Sequence, residues 1–188
     1  MRKVVVYGGA FNPPTIAHQV IFQACVDFAR GLGAEVWLLP SGNRTDKTIA
    51  ASVEDRLKFL DAMISDVDRV GVHVVVRLNE MFRCIDVETY DSVVELGELF
   101  PDCELIWVFG ADSTQTMVEW KNGQRLIENV RMLVVEREGS VINPEIRFWD
   151  LVRVPLMDVS STELRRRMSA GEDFRDLTSP SVHALLSR

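Results

Sequence analysis

Apolar positions change their period repeatedly along this chain. Short runs rich in β-branched and aromatic residues alternate with stretches whose apolar residues recur every three or four positions. Val4 to Tyr7 is such a run, and it ends in Gly8-Gly9, so it predicts a buried first strand. From Ile16 to Arg30 apolar side chains fall at Ile16, Val20, Ile21, Ala24, Cys25 and Phe28, the spacing of one helix face. Gly31 and Gly33 are its stop signals. Glu35 to Leu39 predicts a second strand. Ser52 with Asp55 resembles a capping box ahead of Leu57, Leu60, Met63 and Ile64, which predicts a second helix. Arg56 in its first turn reads as a helix-surface charge. Val70 to Val76 predicts a third strand, and Thr89 caps a helix carrying Val93, Val94 and Leu96.

The second half repeats the pattern. Leu105 to Phe109 is an unbroken apolar run, the signature of a strand buried on both faces. A short helix or helix pair through Leu126 and Ile127 follows, then strands at Met132 to Val135 and Leu151 to Val154. Glu163 to Met168 starts a late helix, and Ser179-Pro180 opens a last one through Leu186, with proline at its first position. Strands alternating with helices imply right-handed βαβ units. The expected fold is α/β: a three-layer, doubly wound, Rossmann-like parallel sheet with a small C-terminal helical extension. We expect residues 1–188 to form one domain, residues 155–188 being its helical part. In such a sheet ligands bind beyond the carboxyl ends of the strands. The loops to inspect therefore follow Tyr7, Leu39, Phe109 and Val154.

Charge narrows the partners. The chain has 21 Lys plus Arg against 28 Asp plus Glu, a formal net charge of −7, which argues against a coat for nucleic acid or an anionic membrane. Cys25, Cys84 and Cys103 are far apart and form neither a disulfide framework nor a zinc site. The Val4–Tyr7 run is too short for a signal peptide, and no apolar run nears the ~18 residues of a membrane span. A cytoplasmic protein is expected, with no metal held by a ligand cluster of its own. Trp37, Trp107 and Trp149 are either core or the contact surface of a homo-oligomer.

Candidate chemistry lies in the first loop, Gly8-Gly9-Ala10-Phe11-Asn12-Pro13-Pro14-Thr15-Ile16-Ala17-His18. Two glycines after a buried strand let backbone N–H groups approach a phosphate closely. Thr15 and His18 share one face of the first helical turn, whose unpaired N–H groups and dipole favour an anion. Ser160, Ser161 and Thr162 are helix-capping hydroxyls, and Arg165 lies one turn further, within reach of the same anion. Of Arg165-Arg166-Arg167, two are read as a solvated face. Asp112 after Gly110 either orients a ribose, helps hold Mg²⁺ or caps a helix; Trp120 either stacks on a ring or fills the core.

The first loop resembles the signature of the nucleotidyltransferase superfamily, Gly-x-Phe-[Asp/Asn]-Pro-x-[His/Thr]-x-Gly-His. Gly9, Phe11, Asn12, Pro13, Thr15 and His18 match, and Ala17 replaces the usual glycine. Pro40 to Lys47, with Arg44, resembles the loop ending His-Lys in nicotinate or nicotinamide mononucleotide adenylyltransferases, with Asp46 in place of His. Gly110-Ala111-Asp112 with Trp120, and Ser160-Ser161-Thr162-Glu163-Leu164-Arg165, resemble that family's Gly-x-Asp plus Trp and Ser-x-Thr-x-x-Arg elements. Thr89-Tyr90-Asp91-Ser92 is similar to its Thr-x-Asp-Thr stretch, with Glu88 in place of Tyr.

The resemblance implies transfer of AMP from ATP to a pyridine mononucleotide, with Mg²⁺ on the phosphates and no covalent intermediate. It implies catalytic roles for His18, Thr15, Lys47 and Arg165. It places ATP against Gly8, Gly9, Ala10, Phe11, His18, Gly110, Asp112, Ser160, Ser161, Thr162 and Arg165. It places the acceptor against Asn12, Thr89 and Trp120. Other acceptors such as pantetheine phosphate, CTP as donor, and an inactive nucleotide-binding module remain open alternatives. His18, Arg44, Lys47 and Arg165 are expected to gather as a cationic pocket inside an acidic protein.

Overall fold

A computed structural model describes residues 1–42, 49–82 and 88–187. Arg44, Asp46, Lys47 and Cys84 lie outside the described residues. The strands are β1 (Arg2–Gly9), β2 (Glu35–Pro40), β3 (Val74–Val76), β4 (Cys103–Gly110), β5 (Arg131–Arg137) and β6 (Asp150–Val154). They form one parallel sheet in the order β3-β2-β1-β4-β5-β6. The helices are α1 (Ile16–Leu32), α2 (Val53–Ser65), α3 (Thr89–Leu99), α4 (Ala111–Thr116), α5 (Gly123–Asn129), α6 (Ser161–Ala170) and α7 (Pro180–Leu186). Short 3₁₀ turns at Met117–Glu119 and Arg175–Leu177 complete the chain.

Period-2 side-chain alternation builds the three layers. Val5 and Tyr7 of β1, with Val36 and Leu38 of β2, pack into one core with Phe22, Leu60 and Val182 from α1, α2 and α7. Their neighbours Val4, Val6, Trp37 and Leu39 face the other core, with Leu96 of α3 and Leu126 of α5. Both faces of the central strands are therefore apolar, and β1 shows four successive buried residues. Trp37 and Trp107 are core residues, whereas Trp149 is 69% exposed. The chain runs outward from β1 to β3, then returns to the other side of β1 as β4. That reversal puts the switch point between the carboxyl ends of β1 and β4.

Local chemistry sets the boundaries. Gly33 ends α1 in the left-handed region, φ 61°, and its N–H satisfies the carbonyls of Ala29 and Arg30. The Ser52 hydroxyl accepts the Asp55 amide at 3.0 Å and starts α2. Two expectations change. The third strand is only Val74–Val76: Gly71 turns the chain at φ 76°, and Val70 before it is 79% exposed. Glu88 rather than Thr89 is the N-cap of α3, so Thr89 is its first helical residue.

Arg56 is the main correction. It is 2% exposed, not a surface charge. Its Nε donates to the Ala10 carbonyl at 3.0 Å and its Nη2 to the Ser41 carbonyl at 2.6 Å, joining the loops after β1 and β2. Burial lowers its pKa from the ordinary value, with the Glu80 charge working the other way. Gly42 lets this edge close: a Cβ there would lie 2.1 Å from the Glu80 carbonyl oxygen. Arg56→Met should cost about 2–4 kcal/mol, because two buried carbonyls lose their donors. The Tm of the ligand-free protein should fall by roughly 5–15 °C; a fall under 2 °C would contradict the clamp.

Candidate active site

The loop between β1 and α1 is held from both sides. Phe11 is fully buried, with φ 45°, and its ring meets Tyr7 edge-on at 5.5 Å. Gly9 packs closely beneath it: a Cβ there would lie 3.0 Å from the Phe11 ring, so the ring would have to shift. The Asn12 side chain is buried and its Oδ1 accepts the Ala51 amide at 3.1 Å, so Asn12 anchors the start of the second half of the β2–α2 loop. Three successive carbonyls are then bound by the C-terminal part of the chain. Arg165 Nη1 donates to Asn12 O at 2.5 Å, Ser161 Oγ to Pro13 O at 2.8 Å, and Thr178 Oγ1 to Pro14 O at 2.7 Å. Carbonyl oxygens carry partial negative charge, and these three are turned toward α6 and the segment before α7, so none of them is left unpaired.

His18 closes the first turn of α1. Its Nδ1 lies 3.0 Å from the Thr15 backbone nitrogen and 2.8 Å from Thr15 Oγ1. An amide N–H can only donate, so Nδ1 is the accepting nitrogen and Nε2 carries the proton. His18 thus returns to the N-cap residue as a glutamate does in a capping box. Thr15, 1% exposed, is the buried companion that orients it.

A cleft of about 210 Å³ opens at the switch point. It brings together Gly8, Gly9, Gly110, Thr89 and Trp120, and adds Glu80. Trp120 stands 6.3 Å from the Phe109 ring, with its indole N–H on Thr116 Oγ1 at 3.1 Å, so one face of the cleft is aromatic. Glu80 accepts the Ser92 hydroxyl at 2.5 Å. Tyr7 lines the floor, and burial pushes its phenol well up, so it stays neutral.

The remaining site candidates sort themselves. Asp112 is paired with Arg137 from the end of β5. Ser160 Oγ accepts the Glu163 amide at 3.1 Å and caps α6. Thr162 Oγ1 accepts Arg165 Nη2 at 3.2 Å. Arg166 is held by Glu163 and Glu172, and Arg167 by Glu163 and Asp176, so these two form an ion-pair network on the helix surface. The two guanidinium groups hold the Glu163 carboxyl down to about 2. Arg165 is the one of the three that reaches the loop. Ala10 binds Arg56 through its carbonyl, while Lys47 and Arg44 lie outside the described residues. Sequence reading missed Arg56, Glu80, Arg137 and Thr178; only Arg137, at the carboxyl end of an apolar strand, carried a positional signal. A larger cavity, about 770 Å³, lies at the amino-terminal ends of β4 to β6 beside Arg131 and Trp149, and none of the described site candidates lines it.

This geometry has known counterparts. A family model described as Cytidylyltransferase-like matches residues 6–167. A Bacillus mycoides protein named "Probable nicotinate-nucleotide adenylyltransferase" is 31% identical, over 100% of this chain and 97% of its own length. An Exiguobacterium sibiricum protein of the same name is 30% identical, over 98% and 95%. Among solved structures, Plasmodium falciparum nicotinic acid mononucleotide adenylyltransferase complexed with NaAD superposes with a TM-score of 0.79. It is 20% identical, covering 100% of this chain and 96% of that one, and so speaks for the fold alone. With the family match and these relatives in agreement over nearly the whole chain, this chain belongs to the nicotinate-nucleotide adenylyltransferase family of the cytidylyltransferase-like nucleotidyltransferases.

Proposed function

We propose that the enzyme transfers AMP from ATP to nicotinate mononucleotide, releasing pyrophosphate and forming the dinucleotide. The observation that carries this reading is the pairing of a carbonyl-averted phosphate loop with an aromatic cleft at one switch point. The loop suits a polyphosphate and the cleft a planar ring. The names of the full-length relatives support the choice of substrates. Thr89 lines the cleft at the N-terminus of the eleven-residue helix α3, whose dipole favours a carboxylate over a carboxamide on the ring. We read the protein as a cytoplasmic enzyme. We read residues 1–188 as one catalytic unit whose helical part, 155–188, supplies the loop's donors.

An acceptor phosphate oxygen attacks the α-phosphorus in line; one P–O bond forms and the bond to pyrophosphate breaks. Catalysis rests on positioning and charge stabilisation. The His18 Nε2–H and the first amides of α1 donate to phosphate oxygens. Arg165 turns its remaining N–H groups toward the leaving pyrophosphate, and Lys47 joins it on the strength of the loop resemblance. Among the described residues no group of three His, Cys, Asp or Glu side chains is placed to hold a metal. Asp112 is engaged by Arg137. Mg²⁺, when bound with ATP, would neutralise phosphate charge and need few protein ligands.

His18→Ala should lower kcat by about 10²–10³, the effect of losing one preorganised donor, with the acceptor KM changed far less. Pyrophosphate release reads this; survival of kcat within threefold contradicts the role. Arg165→Ala should reduce kcat/KM for ATP by roughly 10–100-fold. Arg166→Ala, which breaks only surface pairs, should stay within about twofold. Equal losses in both variants would refute the assignment. Nicotinate mononucleotide should be preferred over the nicotinamide form, read as the ratio of kcat/KM for the two acceptors; equal values would refute the carboxylate reading.

A further inference from the structure

Thr178 belongs to no motif of the site. It lies in the segment before α7 and is 3% exposed. Its hydroxyl donates to the Pro14 carbonyl at 2.7 Å. The Pro14 carbonyl and the Thr15 N–H are the two ends of one planar peptide unit. The other end of that unit donates to His18 Nδ1 at 3.0 Å. One rigid plane is therefore held at both ends, by Thr178 on one side and by His18 on the other. A hydrogen bond accepted by the carbonyl also polarises the amide and strengthens it as a donor.

We propose that Thr178 is a positioning residue for His18. Through the Pro14–Thr15 peptide it fixes the imidazole as the Nε2–H tautomer and sets the direction of that N–H. This rests on the phosphate-binding role of His18 given above. Thr178 does not touch the reacting atoms; it acts through the plane it holds. Its own place is held independently of the loop. Three residues on, Ser181 donates its amide to Asp66 Oδ2 at 2.9 Å and its hydroxyl to Asp66 Oδ1 at 2.6 Å. Val182 is buried in the core shared with α1 and α2. The segment is thus fastened to α2 before it reaches the loop, so the direction of support runs from the core to the peptide plane.

The chain has three histidines, His18, His73 and His183. Ring ¹⁵N spectra, with His18 identified by its loss in His18→Gln, give the tautomer directly. In the wild-type protein above the titration range, His18 should show an unprotonated Nδ1 and a protonated Nε2. A protonated Nδ1 overturns the proposal without any variant. Thr178→Val should yield a mixture of tautomers and lower kcat/KM for ATP about tenfold, the effect of one hydrogen bond. Thr178→Ser, which keeps the hydroxyl, should restore both within about twofold. If Thr178→Val lowers Tm but leaves the tautomer and kcat/KM within twofold of wild type, Thr178 is structural only and the proposal fails. Should that variant not fold, Thr178→Ala provides the same reading. The ring spectra do not depend on turnover, whereas the substrate reading is tested by pyrophosphate release from the wild-type enzyme, so the two fail separately.

Discussion

Backbone carbonyls in a loop that binds polyphosphate must not face the anion, and they cannot be buried without donors. Here nearly every carbonyl from residue 9 to 14 is assigned a partner. Gly9 O accepts the Ser41 amide, Ala10 O accepts Arg56, and Asn12, Pro13 and Pro14 accept Arg165, Ser161 and Thr178. Pro13 and Pro14 have no N–H of their own, so in this stretch only the carbonyls need partners. The rest of the active edge depends on this. The position of Thr15, whose amide donates to His18 Nδ1, follows from where those oxygens are tied.

The donors come from α2, α6 and the segment before α7, which are far from the loop in sequence. Charged donors are used where the carbonyl is shared between elements, as with Arg56 between Ala10 and Ser41. A guanidinium fork suits two acceptors at once, and its burial is tolerable because both bonds are made. Hydroxyl donors suffice for single carbonyls. The helical part of the chain is therefore a structural support of the first loop, with α7 fastened to the end of α2 through Asp66 and Ser181.

Charge is distributed by the same logic. The net charge of −7 disfavours polyanionic surfaces as partners. Most arginines at the active edge and on α6 are engaged by carboxylates: Arg137 by Asp112, and Arg166 and Arg167 by Glu163, Glu172 and Asp176. Pairs that exposed contribute little energy each. Their effect is to leave Arg165, which is bound to a neutral carbonyl and a hydroxyl, with its positive charge uncompensated by a described carboxylate partner.

Much of this was legible along the chain. Period-2 and 3.6-residue patterns predicted the strands, the helices and the doubly wound parallel sheet, because burial of one face is written locally in residue spacing. Gly9, Phe11, Thr15 and His18 were legible because they are close in sequence and serve one turn. Errors arose where a side chain's surroundings come from elsewhere. Val70 is apolar yet exposed, since a glycine turn precedes the paired residues of β3. Arg56 looks like a surface helix charge until two loops converge on it. Thr178 has no signal at all, since its partner lies 164 residues away. The sequence by itself determined most of the elements, their order and the turn from β1 into α1, because these depend on local spacing and backbone chemistry. Only the tertiary structure decided which distant donors hold that turn open, because hydrogen bonding of buried carbonyls is satisfied across the fold, not along the chain.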